Sequence, residues 1–176
     1  MGQSLENSCI HLVLGGARSG KSGYAEQLAK DSQLNVLYLA TAKAFDAEMA
    51  KRIAKHQADR PSHWQTQEVT SELAQTIDQC RGENQLVLVD CLTLWLMDVM
   101  ESKRGLDQAV DELLMTLQRA QVPVILVSNE ISMGVVPMGE LSRSYVDNLG
   151  RLHQKIAQIA ENVTLMVAGI PMVVKA

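Results

Sequence analysis

The octet Gly15-Gly16-Ala17-Arg18-Ser19-Gly20-Lys21-Ser22 fits G-x-x-x-x-G-K-[ST], a loop that binds the phosphates of nucleoside triphosphates. Its glycines let successive backbone N–H groups converge on one spot. The amine of Lys21 would reach the β- and γ-phosphates there, and the Ser22 hydroxyl would bind Mg²⁺. The context agrees. Ile10 to Leu14 is an apolar run that reads as a buried strand, and Gly23 to Lys30 carries apolar residues at helical spacing. A strand turning into a helix adds the positive end of the helix dipole to the same spot. At average glycine usage, chance yields this octet in fewer than about one in 100 chains of this length.

A second chemical group follows the same logic. Leu86-Val87-Leu88-Val89-Asp90 is an apolar strand ending in a carboxylate. Strands of a parallel sheet meet the ligand crevice at their carboxyl ends, so Asp90 is expected beside the phosphate loop, holding Mg²⁺ directly or through water. Glu130, after the apolar run Val122 to Val127 and Ser128-Asn129, ends another strand and could bind metal or position substrate. Of four histidines, His11 and His153 fall inside a strand and a helix and read as structural or surface residues. His56 and His63 bracket a polar, turn-breaking run, Lys55 to Trp64. A neutral imidazole there could attack an α-phosphorus and form a phosphoramidate, splitting nucleotidyl transfer into two displacements. Residue types alone do not choose between these two. Arg18, Arg60, Arg143 and Arg151 could each grip phosphate, and Tyr38 and Trp64 could stack on a base or pack in the core.

Elements able to position these groups alternate along the chain. Expected strands are 10–14, 36–40, 64–69, 86–90, 122–127 and 163–168, with 170–174 as a final edge. Expected helices are 21–31, 46–57, 71–80, 92–102, 107–121 and 142–162. The stretch Ile131 to Leu141 holds Gly134, Pro137 and Gly139 and reads as a loop over the site. Such alternation gives a single α/β domain over residues 1–176, with a mainly parallel sheet flanked by helices. The 176 residues are 47% hydrophobic, enough for a sizeable core, but only 3% aromatic, so aliphatic side chains and Met must fill it. A net charge of −4 without any basic tract argues against a nucleic-acid surface. Cys9, Cys80 and Cys91 form no C-x-x-C pair and read as buried thiols in a reducing cytoplasm. The first residues show neither a signal-peptide pattern nor a myristoylation motif. The longest apolar stretch, Leu165 to Val174, is too short to cross a bilayer, so no membrane insertion is expected.

With these residues placed, the chain resembles the bifunctional adenosylcobinamide kinase / adenosylcobinamide-phosphate guanylyltransferase family of cobalamin biosynthesis. The resemblance runs end to end. It rests on the phosphate loop, Tyr38 to Ala42, Arg52-Ile53 through His56 to Arg60-Pro61, and Trp64 to Glu68. It continues through Asp90 to Thr93, Ser128 to Glu130 with Met133 to Pro137, and Gly150 to Leu152. It implies two reactions on a RecA-like phosphate-loop fold assembled as a homotrimer. ATP or GTP phosphorylates adenosylcobinamide. GTP then gives GMP to the resulting phosphate through a guanylylated histidine, releasing pyrophosphate and adenosylcobinamide-GDP. Matched to the R-I-x-x-H-x-x-x-R-P pattern, that histidine is His56. The nucleotide contacts it implies are Gly15 to Ser22, Ala40, Thr41, Ala42, Gln57, Ala58, Asp59, Arg60, Glu68 and Asp90.

Three positions depart from the family's usual pattern. Ser132 replaces a glycine, Tyr145-Val146-Asp147 replaces Phe-Arg-Asp, and His153 replaces a common Asn. Two other functions share the phosphate loop: a small-molecule kinase with no covalent step, and a nucleotide-gated binding module.

Overall fold

The computed structural model describes residues 9–42, 47, 51, 54, 60–102 and 104–176. Its seven strands are β1 (Ile10–Gly15), β2 (Asn35–Ala40), β3 (Gln65–Glu68), β4 (Gln85–Asp90), β5 (Val124–Asn129), β6 (Asn162–Val167) and β7 (Ile170–Lys175). They form one sheet in the order β3-β2-β4-β5-β1-β6-β7. All pairings are parallel except β6 with β7, which is an antiparallel hairpin. The helices with described bounds are α1 (Lys21–Asp31), α2 (Leu73–Asp78), α3 (Leu92–Glu101), α4 (Leu106–Gln118) and α5 (Glu140–Ile159). Of the helix expected over 46–57, Ala47, Lys51 and Ala54 are described and helical. His56, Gln57, Ala58 and Asp59 lie outside the described residues.

The central strands are buried on both faces, which is why they read as continuous apolar runs rather than alternating ones. Their side chains nonetheless divide by parity. Leu86, Leu88, Ile125 and Val127 pack with Ala25 and Ala29 of α1 on one face. Val87, Val89, Val124 and Leu126 pack with Leu73, Trp95, Leu113 and Leu152 of the other helices on the opposite face. The strand order seats β1 between β5 and β6, so the loop that follows it opens beside the end of β5, one strand away from the end of β4.

Element boundaries shift from the sequence expectation by up to three residues, notably at α2, β5 and α5. Helix α2 begins at Leu73, with Glu72 rather than Ser71 at its cap, where Glu72 accepts a hydrogen bond from the Thr70 hydroxyl at 2.8 Å. The strand expected over 122–127 runs instead from Val124 through Asn129, because Pro123 supplies no N–H for a ladder while Ser128 and Asn129 pair with Leu14 and Gly15. Helix α5 starts two residues earlier than expected and ends at Ile159.

His11 is structural. Its Nε2 lies 2.8 Å from Thr164 Oγ1 across the β1–β6 pair, and its ring meets Tyr24 edge-on. Burial disfavours the imidazolium and lowers its pKa to about 4. Between that value and the ordinary 6.5 the unfolded chain binds the extra proton. This contribution to stability is therefore complete above pH 6.5 and fades as pH falls toward 4, by on the order of 3 kcal/mol in all. Chemical denaturation of wild type and His11→Gln between pH 4 and 7 should show the acid-side loss reduced in the variant. Parallel profiles would refute it.

Candidate nucleotide site

The phosphate loop owes its shape to two left-handed residues and one close approach. Gly20 caps α1 with φ +92°, and Arg18 sits at φ +56°. A Cβ on Gly15 would lie 2.3 Å from Ser19 Oγ and 3.0 Å from the Met166 carbonyl oxygen, so only glycine fits between the loop and β6. The loop is tied down on both flanks. The Glu130 N–H donates to the Gly15 carbonyl at 3.0 Å, and the Gly169 N–H donates to the Ser19 carbonyl at 3.0 Å. Gly16, Ala17, Arg18 and Gly20 are exposed, Lys21 and Ser22 are half-buried, and Ser19 is buried. Lys21 Nζ curls back to the Gly16 carbonyl at 3.1 Å. Its pKa is lowered by burial, with the charge of Asp90, then Cys91, acting in the opposite direction.

Strand register brings the other expected residues to the same end of the sheet. Asp90 pairs with Ala40 on one side and Val127 on the other, Glu68 pairs with Ala40, and Asn129 pairs with Gly15. Glu68, Ala40, Asp90, Asn129 and Gly15 are thus the carboxyl ends of five adjacent parallel strands, where α/β sheets bind ligands. Asp90 is half-buried and accepts a hydrogen bond from the Tyr38 hydroxyl at 2.9 Å. Burial, with Asp90 next, raises the Tyr38 pKa far above its ordinary value, so the phenol stays a donor. The Arg60 guanidinium stacks on the Tyr38 ring, 3.4 Å from its centroid. Its Nε and Nη1 donors are buried and have no hydrogen-bond partner among the described residues. Tyr38 and Trp64 are core residues, not open base-stacking platforms.

Some candidates serve the site indirectly. The Thr41 hydroxyl accepts from the Cys91 N–H and donates to the Cys91 carbonyl, both at 2.7 Å, while the Thr41 N–H bonds to the Asp90 carbonyl at 3.1 Å. Thr41 therefore fixes the chain on both sides of the Asp90 turn. Arg143 donates to the carbonyls of Pro137 and Met138, so its guanidinium braces the loop over 131–139. Arg151 is exposed on α5. His63 lines a groove with Asn35, Gln65 and Gln85, the first residues of β2, β3 and β4, at the opposite end of the sheet from Asp90. The three cysteines are buried, as expected.

Comparison with known proteins accords with this arrangement. A model of the family described as cobinamide kinase / cobinamide phosphate guanyltransferase matches residues 11–174. The chain belongs to that family. The bifunctional adenosylcobalamin biosynthesis protein CobP of Pseudomonas aeruginosa is 52% identical over 166 residues, covering 93% of this chain and 96% of that protein. The corresponding protein CobU of Escherichia coli is 38% identical, with coverages of 93% and 98%. Distant solved structures show the fold alone. The RadB recombinase has a TM-score of 0.53 at 17% identity, covering 90% of this chain and 74% of that one. The flagellar accessory protein FlaH of Methanocaldococcus jannaschii has a TM-score of 0.54 at 12% identity, covering 96% and 79%. The fold is thus that of phosphate-loop nucleoside-triphosphatases. No helix among the described residues is long and apolar enough to cross a membrane.

Two groups that shape the site of this cobinamide kinase / guanyltransferase chain carried no local sequence signal. The bond from Tyr38 to Asp90 spans 52 residues, and the grip of Thr41 on Cys91 spans 50. Only the pairing of β2 with β4 brings them together.

Proposed function

We propose that this protein phosphorylates adenosylcobinamide with ATP or GTP and then transfers GMP from GTP to the phosphate, yielding adenosylcobinamide-GDP and pyrophosphate. The observation that carries this is the convergence of the phosphate loop, Lys21 and Asp90 at one sheet end in a chain of this family. In the first step the acceptor hydroxyl oxygen attacks the γ-phosphorus, the β–γ bridge breaks toward the nucleoside diphosphate, and the hydroxyl proton is lost. In the second, an imidazole nitrogen of His56 attacks the α-phosphorus and expels pyrophosphate. An oxygen of the corrinoid phosphate then displaces histidine and takes the GMP. Lys21 and the loop N–H groups balance the phosphate charge, and Arg60, stacked on the Tyr38 ring, offers donors that have no partner among the described residues. Gln57, Ala58, Asp59 and Glu68 complete the proposed nucleotide contacts.

Mg²⁺ suits these residues. No group of three or more His, Cys, Asp or Glu side chains gathers among the described residues. Mg²⁺ needs only one or two protein oxygens when phosphates and water supply the rest. Ser22 and Asp90 would supply those oxygens, with Tyr38 orienting the carboxylate. When bound, the ion would neutralise charge developing on the phosphates.

The acceptor side is apolar. Met97, Met100, Ile131, Leu141, Tyr145 and Val146 line a groove of about 470 Å³, and Met133, Val135 and Met138 project from the adjoining loop. Such surface suits the methyl-bearing faces of a corrin ring. The working unit would be a homotrimer in the cytoplasm, with the exposed apolar strand β7 offering surface to a second copy.

Purified protein with Mg²⁺, ATP and adenosylcobinamide should yield the corrinoid phosphate, and added GTP should convert it to adenosylcobinamide-GDP. Phosphorylation without the second conversion would leave a monofunctional kinase. Nucleotide hydrolysis indifferent to the corrinoid would point to a nucleotide-gated module.

A further inference from the structure

A buried polar chain runs from the end of β5 into α5. The Asn129 N–H donates to Thr93 Oγ1 at 2.8 Å, Thr93 Oγ1 lies 3.3 Å from Ser128 Oγ, and Ser128 Oγ lies 2.8 Å from His153 Nε2. On the far side of the ring, His153 Nδ1 is 3.6 Å from Glu130 Oε2. The other Glu130 oxygen accepts from the Ser132 N–H at 2.6 Å and from the Ser132 hydroxyl. One assignment fits these contacts, with the His153–Glu130 approach at 3.6 Å an electrostatic contact just beyond hydrogen-bond distance. A carboxylate only accepts, so Nδ1 carries the proton and faces Glu130. Nε2 then accepts from Ser128, which accepts from Thr93, which accepts from Asn129.

The residues resemble a Ser-His-Glu triad, but Ser128 has no exposed surface and cannot meet a substrate. The chain is therefore a support, and what it supports is Glu130. The backbone N–H of Glu130 bonds the Gly15 carbonyl, and its side chain folds forward onto Ser132. One residue thus joins the phosphate loop to the root of the apolar loop at 131–139. Arg143 braces the far end through the Pro137 and Met138 carbonyls. Burial lowers the His153 pKa, with Glu130 opposing, which favours the neutral ring this assignment uses.

We propose that His153 is a positioning residue for the kinase step. Through Glu130 it fixes the root of the 131–139 loop against Gly15, so that the loop's apolar side chains form one wall of the corrinoid site. This rests on the proposed function for its substrate, but the latch itself has a readout that needs no substrate.

Two measurements on His153→Phe, which keeps the ring volume and removes both nitrogens, test it. Amide hydrogen exchange in residues 131–139 should speed up at least about tenfold, with β1 and α1 unchanged. The KM for adenosylcobinamide should rise about tenfold, with the KM for nucleotide and kcat within about twofold. His153→Asn, whose amide nitrogen can replace Nδ1 toward Glu130, should recover most of both effects. Ser132→Ala, at an exposed position that does not endanger folding, should move both in the same direction by about threefold. Unchanged loop exchange in His153→Phe would overturn the latch. Faster exchange with an unaltered corrinoid KM, or parallel rises in both KM values, would overturn the positioning role, as would an Asn variant no better than Phe. If wild type does not phosphorylate adenosylcobinamide, the proposed function fails, and the exchange arm still decides whether Glu130 is held by His153.

Discussion

Replacing Lys21 by Met should lower both half-reactions by on the order of 10²- to 10³-fold or more while leaving the fold intact. Lys21 is half-buried at the first turn of α1, with Nζ 3.1 Å from the Gly16 carbonyl. The aliphatic stem of Met occupies similar space, so little packing is lost. What disappears is the ammonium at the positive end of α1, whose charge is felt by Asp90. Electrostatic preorganisation of this kind acts mainly where charge develops in the transition state, so kcat should fall more than nucleotide affinity. Arginine should not restore the rate, because its planar fork cannot fold back across the loop as a compact ammonium does. Initial rates of corrinoid phosphorylation and of pyrophosphate release, with nucleotide affinity by calorimetry, check this. Rates within tenfold of wild type would remove Lys21 from the chemistry.

The parts of the site carried by the main chain were legible in the sequence. A strand, a glycine turn and a helix over 10–31 follow from local residue types, and α1 spans Lys21–Asp31 as its periodicity indicates. The carboxyl-end rule then sufficed to place Asp90. The supporting side chains were not legible, because their partners lie far away in the chain. Tyr38 read as a possible base platform until its hydroxyl was found on Asp90 and its ring beneath Arg60. His153 read as structural or surface, but its role depends on a strand end 25 residues earlier. Ser132 and His153 lie 21 residues apart in the sequence. Both converge on Glu130, and no local pattern connects them.

Strand order bears on one ambiguity that residue types left open. His56 and His63 are equally polar and equally near a helix end in the sequence. Yet His63 lies with the first residues of β2, β3 and β4, a strand length away from the carboxyl ends that gather Lys21 and Asp90. A nucleophile for the α-phosphorus cannot act from there, which favours His56. Incubated with Mg²⁺ and GTP labelled at the α-phosphorus, wild-type protein should retain label after denaturation. A phosphoramidate loses its label in acid and keeps it in base. His56→Ala should lose the label entirely, with GMP transfer down by roughly 10³-fold or more, because the remaining groups bind the phosphates but offer no nucleophile. The first step needs no covalent histidine, so corrinoid phosphorylation by ATP should stay within a few-fold of wild type. His63→Ala should match wild type in both assays. Label that survives in His56→Ala but vanishes in His63→Ala would reverse the assignment. No label in wild type, despite measurable GTP binding, would reject the covalent route and leave a kinase that uses the phosphate loop alone.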